Sequence, residues 1–479
     1  MKLNNLKIKT IKGISWSIID RASKLFLMLA TTSILARLLK PEEFGIVAMI
    51  FVFTGFLKVI RDFGVGASVI QRTDPKKEEL DSLFWFSVFL GLCVTIILII
   101  FSSKIADFYN LPELENMIYV VSIAMFLGSI SIIPEALLMK DLKFKSLFFR
   151  NSGNLILSGF ITIIMALNGF GAWSLIFKEI VFNFFLIIFN FSLIKWRPAL
   201  RFKYISIKPY ISYSIPLFGE NSLNYFVRNI DNLLIGKILG ESSLGFYSKA
   251  YSLMLLPVRQ ISGAISSVIF PSLSIIKDDI NKVWNSYMKV VKIVLIVNLP
   301  FMISLYFFAN EVVLILFGNQ WLDVIPIIKA LCFLGSIQSI GTLSGSIYNS
   351  QGKTHLQFKV GLFSKIVMSS GIIYGLLSSG IFGLIFYYTL TSVFIFFVEL
   401  FFITKILNNS IFNFFNFLKD EIFVIVIYLL TMIILFNIYN PSNFLDKFII
   451  QSVSLIILIL SSLKFDLLVT KMFKDYLNK

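Results

Sequence analysis

The feature that most constrains this chain is the length of its uninterrupted apolar runs. FSVFLGLCVTIILIIFSS at 86–103 and LILSGFITIIMAL at 155–167 contain no charged residue. Roughly 20 such residues cross the ~30 Å hydrocarbon core of a bilayer as an α-helix, in which every backbone N–H and C=O finds a partner within the segment. Transmembrane β-strands would alternate polar and apolar residues, which these runs do not. Charged residues make up 15% of the 479-residue chain, against about 25% in soluble domains. The fold class expected is therefore all-α and integral to a membrane.

Turn signals divide the chain into fourteen predicted transmembrane helices, at about 13–36, 43–71, 79–103, 113–138, 146–167, 171–194, 209–236, 243–271, 283–308, 322–350, 355–378, 381–404, 417–437 and 445–463. The second, seventh, eighth and tenth stand out for their charges, for Pro257, or for many Gly and Ser. The basic stretch 1–12 leads into an apolar run that continues to Ala36 without a small-residue cleavage site, so a spanning helix is expected there rather than a cleavable signal peptide. Connections on the side of the N-terminus hold 23 Lys and Arg and those on the other side hold 4. Short cytoplasmic loops are the ones enriched in Lys and Arg, which predicts cytoplasmic N- and C-termini. The net charge of +16 then follows from topology and anionic headgroups, with no nucleic acid required.

The chain also repeats itself. LARLLKPEEFG at 35–45 is echoed by IGKILGESSLG at 235–245, FLGSI at 126–130 recurs at 333–337, LKFK at 142–145 matches LQFK at 356–359, and NGFGAWSLIF at 168–177 loosely matches SGIFGLIFYY at 379–388. The same order in both halves, six helices apart, predicts parallel repeats related by an axis along the membrane normal, with the substrate path at their interface. The expected organisation is 1–200 (helices 1–6), 201–404 (helices 7–12), and 405–479 (helices 13 and 14 with a cytoplasmic tail).

Ionisable residues inside spans cost about 2.5–3.5 kcal/mol each on insertion scales, so they usually face a bundle interior or a wet cavity. They concentrate in the first two helices of each repeat: Asp20, Arg21 and Lys24; Lys58, Arg61 and Asp62; Glu220, Arg228 and Asp231; Lys249 and Arg259. Asp20 with Lys24, Lys58 with Asp62, and Arg228 with Asp231 have the spacing that places two side chains on one helix face. Arg21, Arg61, Lys249 and Arg259 have no acid at that spacing. Seven cations against four acids suits an anionic group that must cross, and arginine can hold phosphate through two parallel hydrogen bonds. The plainer alternative is that these charges pair between helices and hold the bundles together. Cys93 and Cys332 sit in apolar runs and read as small buried hydrophobes. The lone His355 makes no metal site, and the glycines and serines of 335–352 read as close packing.

LARLLKPEEFGIVAM (35–49), DFGVGASVIQR (62–72), FYNLPEL (108–114), ALLMKDLKFK (136–145), DNLLIGKILGESSLGFYSKAY (231–251) and VIFPSLS (268–274) resemble the polysaccharide transporter branch of the multidrug/oligosaccharidyl-lipid/polysaccharide (MOP) exporter superfamily, above all its Wzx-type and teichuronic-acid-type flippases. The resemblance implies two six-helix lobes in a MATE-like V around a cationic cavity, with helices 13 and 14 beside it. It implies a cargo of oligosaccharide on undecaprenyl pyrophosphate, moved across a bacterial plasma membrane for O-antigen, capsule, exopolysaccharide or teichuronic acid. By the same resemblance Arg21, Lys24, Arg61, Arg228, Lys249 and Arg259 would line the cavity, with Asp20, Asp62, Glu220 and Asp231 as charge partners. Membrane lipids and a polysaccharide polymerase with its export machinery are the other partners it suggests. No cofactor is expected; a coupling ion such as H+ or Na+ stays open. The rivals are a MATE-like drug or cation antiporter, which would favour acidic cavity residues, and a membrane-embedded glycan polymerase or ligase, which would need a larger catalytic loop than the dozen or so residues available. No Walker A motif is present.

Overall fold

A computed structural model describes residues 2–72, 74–439, 441 and 443–465, all of them in helices or short connections. In chain order the helices are α1 (Lys2–Leu38), α2 (Pro41–Asp62), α3 (Val65–Gln71), α4 (Lys77–Tyr109), α5 (Glu113–Ile130), α6 (Ile132–Lys140), α7 (Phe144–Leu167), α8 (Ala172–Leu193), α9 (Tyr204–Ile275), α10 (Ile280–Phe307), α11 (Ala309–Leu316), α12 (Val324–Gly341), α13 (Ser344–Ser350), α14 (Thr354–Ile406), α15 (Ile411–Tyr439) and α16 (Phe444–Lys464).

Two of these are too long for one crossing. At about 1.5 Å per residue, a span needs only some 20 residues, whereas α9 has 72 and α14 has 53. Each is broken where the backbone leaves the helical region: α9 at Gly240 (φ 82°), α14 at Ser379 and Gly380 (φ 62°). Positive φ is the conformation glycine reaches without a Cβ clash, which is why both reversals carry one. The predicted spans 209–236 and 243–271 are thus the two arms of α9, and 355–378 and 381–404 those of α14. The predicted span 43–71 is interrupted as well: Phe63 and Gly64 both have positive φ and separate α2 from α3.

Ten helices among the described residues are long and apolar enough to cross a membrane. α1 and the arms of α9 fall outside that set, and they are the helices that carry Asp20, Arg21, Lys24, Glu220, Arg228, Asp231, Lys249 and Arg259. The predicted cytoplasmic tail lies almost wholly outside the described residues.

The chain forms two compact units, Met1–Gly245 with Leu316–Gln320, and Phe246–Ile315 with Trp321–Lys479. The division falls at 245 rather than near 200 because the first arm of α9 packs with the first unit. Tyr210 and Ile207 are buried with Val65, Val69, Leu83 and Phe84, and the Tyr225 hydroxyl donates to the carbonyls of Phe51 and Val52 at 2.9 and 2.8 Å. The repeated phrase meets its own copy within this unit. A Cβ on Gly45 would collide with the Glu241 carbonyl, and one on Gly245 with the Pro41 carbonyl. Each glycine approaches the backbone four residues before the other, a self-complementary contact of the kind two-fold symmetry produces. The second unit is built on an apolar core in which Trp284, Tyr287, Met288, Val291 and Leu295 of α10 meet Leu343, Ile347, Leu400, Ile403, Phe414 and Leu418.

Candidate functional site: a cationic cavity in the first unit

α7 carries a polar stripe through an apolar span. Arg150, Asn154, Ser158 and Thr162 recur every four residues and are at most 4% exposed, so they share one inward face. On α8, Asn183 and Asn190 are seven residues apart and buried. Arg150 of the first face and Asn183 of the second reach a cavity of about 720 Å³ that α1, α2, α3, α5 and α6 complete; its lining includes Lys24, Lys58, Arg61, Asp62, Gly128, Glu135, Arg150, Asn151 and Asn183. Four cations against two acids make its lining net positive.

Arg61 is 5% exposed. Its Nε donates to Asp62 Oδ1 at 2.8 Å and its Nη2 lies 2.7 Å from the same oxygen. The guanidinium fits because α5 has glycine at 128: a Cβ there would collide with Arg61 Nη1 and sit 2.9 Å from Asn183 Oδ1. The Asn183 amide donates to the Glu179 carbonyl at 2.7 Å, which fixes Oδ1 as the atom facing the notch.

A second buried cation was not singled out from sequence. Arg150 Nη2 is 3.0 Å from Glu135 Oε1, Nη1 is 2.7 Å from Asn190 Oδ1, and both Nε and Nη2 donate to Asn151 Oδ1 at 3.1 and 2.7 Å. Asn151 in turn donates to Asp20 Oδ1 at 2.9 Å, and Asp20 Oδ2 is 2.8 Å from Lys24 Nζ. A chain of polar contacts therefore runs from Glu135 to Lys24. Arg150 sits four residues from a predicted helix start, where a cation reads as a headgroup contact; the four-residue polar stripe was the signal available.

The nominated residues divide as follows. Lys24 and Arg61 line the cavity with Lys58. The Asp20–Lys24 pair forms. The Lys58–Asp62 pair does not, because Asp62 is taken by its chain neighbour Arg61, which therefore does have a local acid; Lys58 is exposed and has no ion pair among the described residues. Arg21 is exposed and outside the lining. Arg228 and Glu220 are exposed. Asp231 is 2% exposed and its Oδ1 accepts from the Asn232 N–H at 2.8 Å. Lys249, half-buried, and Arg259, exposed, belong to the second unit. Among the described residues no cluster of His, Cys, Asp and Glu could hold a metal ion, and His355 is exposed.

The second unit holds two partly buried ion pairs. Lys292 Nζ is 3.0 Å from Glu421, which is 2% exposed, and 4.6 Å from the Phe417 ring centroid. Lys447 and Glu311 are 2.5 Å apart. Ser304, Tyr428 and Gln451 form a hydrogen-bonded triad that ties α10, α15 and α16 together.

Known proteins resemble both the sequence and the fold. The lipopolysaccharide biosynthesis protein WzxC of Escherichia coli K12 is 28% identical over 389 residues, 79% of this chain and 77% of its own. The teichuronic acid biosynthesis protein TuaB of Bacillus subtilis is 24% identical over 352 residues, 73% of this chain and 72% of its own. Among solved structures, the lipid II flippase MurJ in an inward closed conformation superposes over 97% of this chain and 100% of its own, with a TM-score of 0.71 at 17% identity. An inward-facing multidrug resistance MATE transporter of the MOP superfamily covers 81% of this chain and 96% of its own, with a TM-score of 0.61 at 17% identity. The family described as "Polysaccharide biosynthesis protein" matches residues 34–326. This multi-pass membrane chain, with a MATE- and MurJ-like fold, belongs to that polysaccharide biosynthesis family, as a transporter and not an enzyme.

Proposed function

We propose that the chain is a flippase that carries undecaprenyl-pyrophosphate-linked oligosaccharide repeat units across the bacterial plasma membrane for assembly of a surface polysaccharide. The observation that carries this reading is the cationic cavity of the first unit, where a buried arginine is seated in a glycine notch beside Lys24 and Lys58. Arg61 exchanges Asp62, whose carboxylate is 45% exposed, for the pyrophosphate. Lys58 supplies a second charge, and the sugar occupies the wet remainder of the cavity while the prenyl chain stays in lipid. Charge-assisted bonds of this kind are about twice as strong as neutral ones. A lining with more cations than acids suits this cargo better than an organic cation.

Transport then follows alternating access between two six-helix lobes set in a V, with helices 13 and 14 beside them and both termini in the cytoplasm. The ten apolar helices with α14 divided at its break, together with α1 and the two arms of α9, supply the fourteen helical segments this reading needs, and the paired Gly45 and Gly245 contacts support its repeat. Arg21, Arg228, Lys249 and Arg259 are assigned to later positions of the anion along the path.

The test is deletion of the gene followed by analysis of lipid-linked glycans. A completed undecaprenyl-linked unit should accumulate on the cytoplasmic side. Complementation with Arg61→Ala should leave that block in place with the protein inserted at normal level; full export by Arg61→Ala and by Arg259→Ala would refute the assignment of the cargo site.

A further inference from the structure

The two arms of α14 form an antiparallel pair whose register is fixed by close glycine contacts. A Cβ on Gly375 would collide with the Gly383 carbonyl, one on Gly383 with the Gly375 carbonyl, and one on Gly371 would lie 3.2 Å from the Tyr387 carbonyl. Following that register away from the break at Gly380, the arms separate and leave a groove of about 670 Å³ lined by Phe363, Phe394, Phe397, Phe401 and Lys359, among others. The four phenylalanines are 45–51% exposed, and the volume lies within the roughly 300–1,000 Å³ of ligand-sized pockets.

Lys359 is the one charged group in this lining. The same register sets Lys353 level with Lys405 at the open end of the pair. Lys353, Lys359 and Lys405 are all exposed and have no ion-pair partner among the described residues. The one acid between residues 351 and 418 is Glu399. It lies outside the groove lining, and its Oε2 is 3.9 Å from where a Gly341 Cβ would be. An arm of some 25 residues is about 37 Å long and spans the hydrocarbon core, so its open end lies at headgroup level. Lys359 begins one turn and a half inside that end, and a lysine stem lies along apolar surface while its ammonium reaches toward water.

We infer that this groove is a binding site for an anionic phospholipid, its acyl chain against Phe363, Phe394, Phe397 and Phe401 and its phosphodiester on Lys359 and Lys405. Two features set the occupant. An aromatic lining with a single polar group excludes sugar and peptide, and an unpaired cluster of lysines at headgroup depth selects net negative charge. The site stands apart from the cationic cavity and does not depend on the cargo proposed above.

The experiment uses the full chain in nanodiscs of phosphatidylcholine doped with phosphatidylglycerol, followed by delipidation and native mass spectrometry. Retained phosphatidylglycerol should exceed its share of the bilayer, because each lysine at a membrane surface favours an anionic headgroup about fivefold. Lys359→Gln with Lys405→Gln should cut that enrichment by more than tenfold, while Lys289→Gln, which removes one exposed charge from α10, should leave it intact. Phe397→Ser should lower retention of both lipids alike. Equal retention of phosphatidylcholine and phosphatidylglycerol by the wild-type chain would overturn the inference, as would unchanged enrichment in the double variant or a polyprenyl phosphate as the retained species.

Discussion

FLGSI occurs once in each unit, and its glycine admits opposite neighbours. At Gly128 the space a Cβ would fill holds the guanidinium of Arg61 and the amide oxygen of Asn183; at Gly335 it holds Met254 and Met302. The backbone notch is the same, and its contents are charged in the first unit and apolar in the second. Methionine fills irregular gaps because it is unbranched and flexible, whereas a buried arginine persists only where its N–H groups are met. The first unit meets them with Asp62, Glu135, Asn151 and Asn190. The second closes its interior with Trp284, Met288, Leu343 and their neighbours. At matched glycines the first unit buries charge and the second buries apolar side chains.

The sharpest way to break this contrast is to orphan a charge in the supporting unit. Lys292→Met leaves Glu421 buried without its cation, and loss of one partner of a buried pair costs about 3–5 kcal/mol. Thermal unfolding in detergent should show it, and Lys292→Met with Glu421→Leu should recover most of the loss. Arg150→Leu should fall near the lower end, about 3 kcal/mol, because Glu135 stays 33% exposed and keeps part of its hydration. It should also weaken export in cells, since Asn151 and Asp20 lose the contact that orients them toward Lys24.

The two notch glycines test the comparison directly. Gly128→Ala should displace Arg61 and abolish export of the lipid-linked glycan at normal membrane abundance. Gly335→Ala should lower stability by about 1–3 kcal/mol through overpacking and leave export by the folded fraction unchanged. Identical phenotypes for the pair would show that the notches do the same work. Met254→Leu, which nearly conserves volume, should cost less than about 1.5 kcal/mol. The smallest effect is expected at Asp279, whose carboxylate accepts from the Lys282 N–H at 3.1 Å and is held below the ordinary carboxylate value of 3.8, first by that backbone hydrogen bond and then by the Lys282 side chain. Its contribution is present above pH 3.8 and is lost as pH falls through the lower folded value. Asp279→Asn should therefore flatten a shallow acid dependence of stability and lower the neutral-pH value slightly, by the part of that contribution an amide at the N-cap does not replace.

Hydropathy was enough to place this chain in a membrane and to mark most of its helices. The bilayer core is a uniform apolar solvent, and each twenty-residue window answers to it alone. The turns at 240 and 380 and the family likeness were legible for the same reason, since they reside in contiguous residues. The site was legible only in part. Sequence spacing found Asp20–Lys24 because both members lie one turn apart on one helix. It assigned Asp62 to Lys58 and overlooked Arg150, because the place of the Arg61 guanidinium depends on the notch at Gly128 of α5, and the depth of Arg150 on Glu135 of α6 and Asn190 of α8. A buried charge is stabilised by partners from other helices, and only the tertiary packing decides who they are.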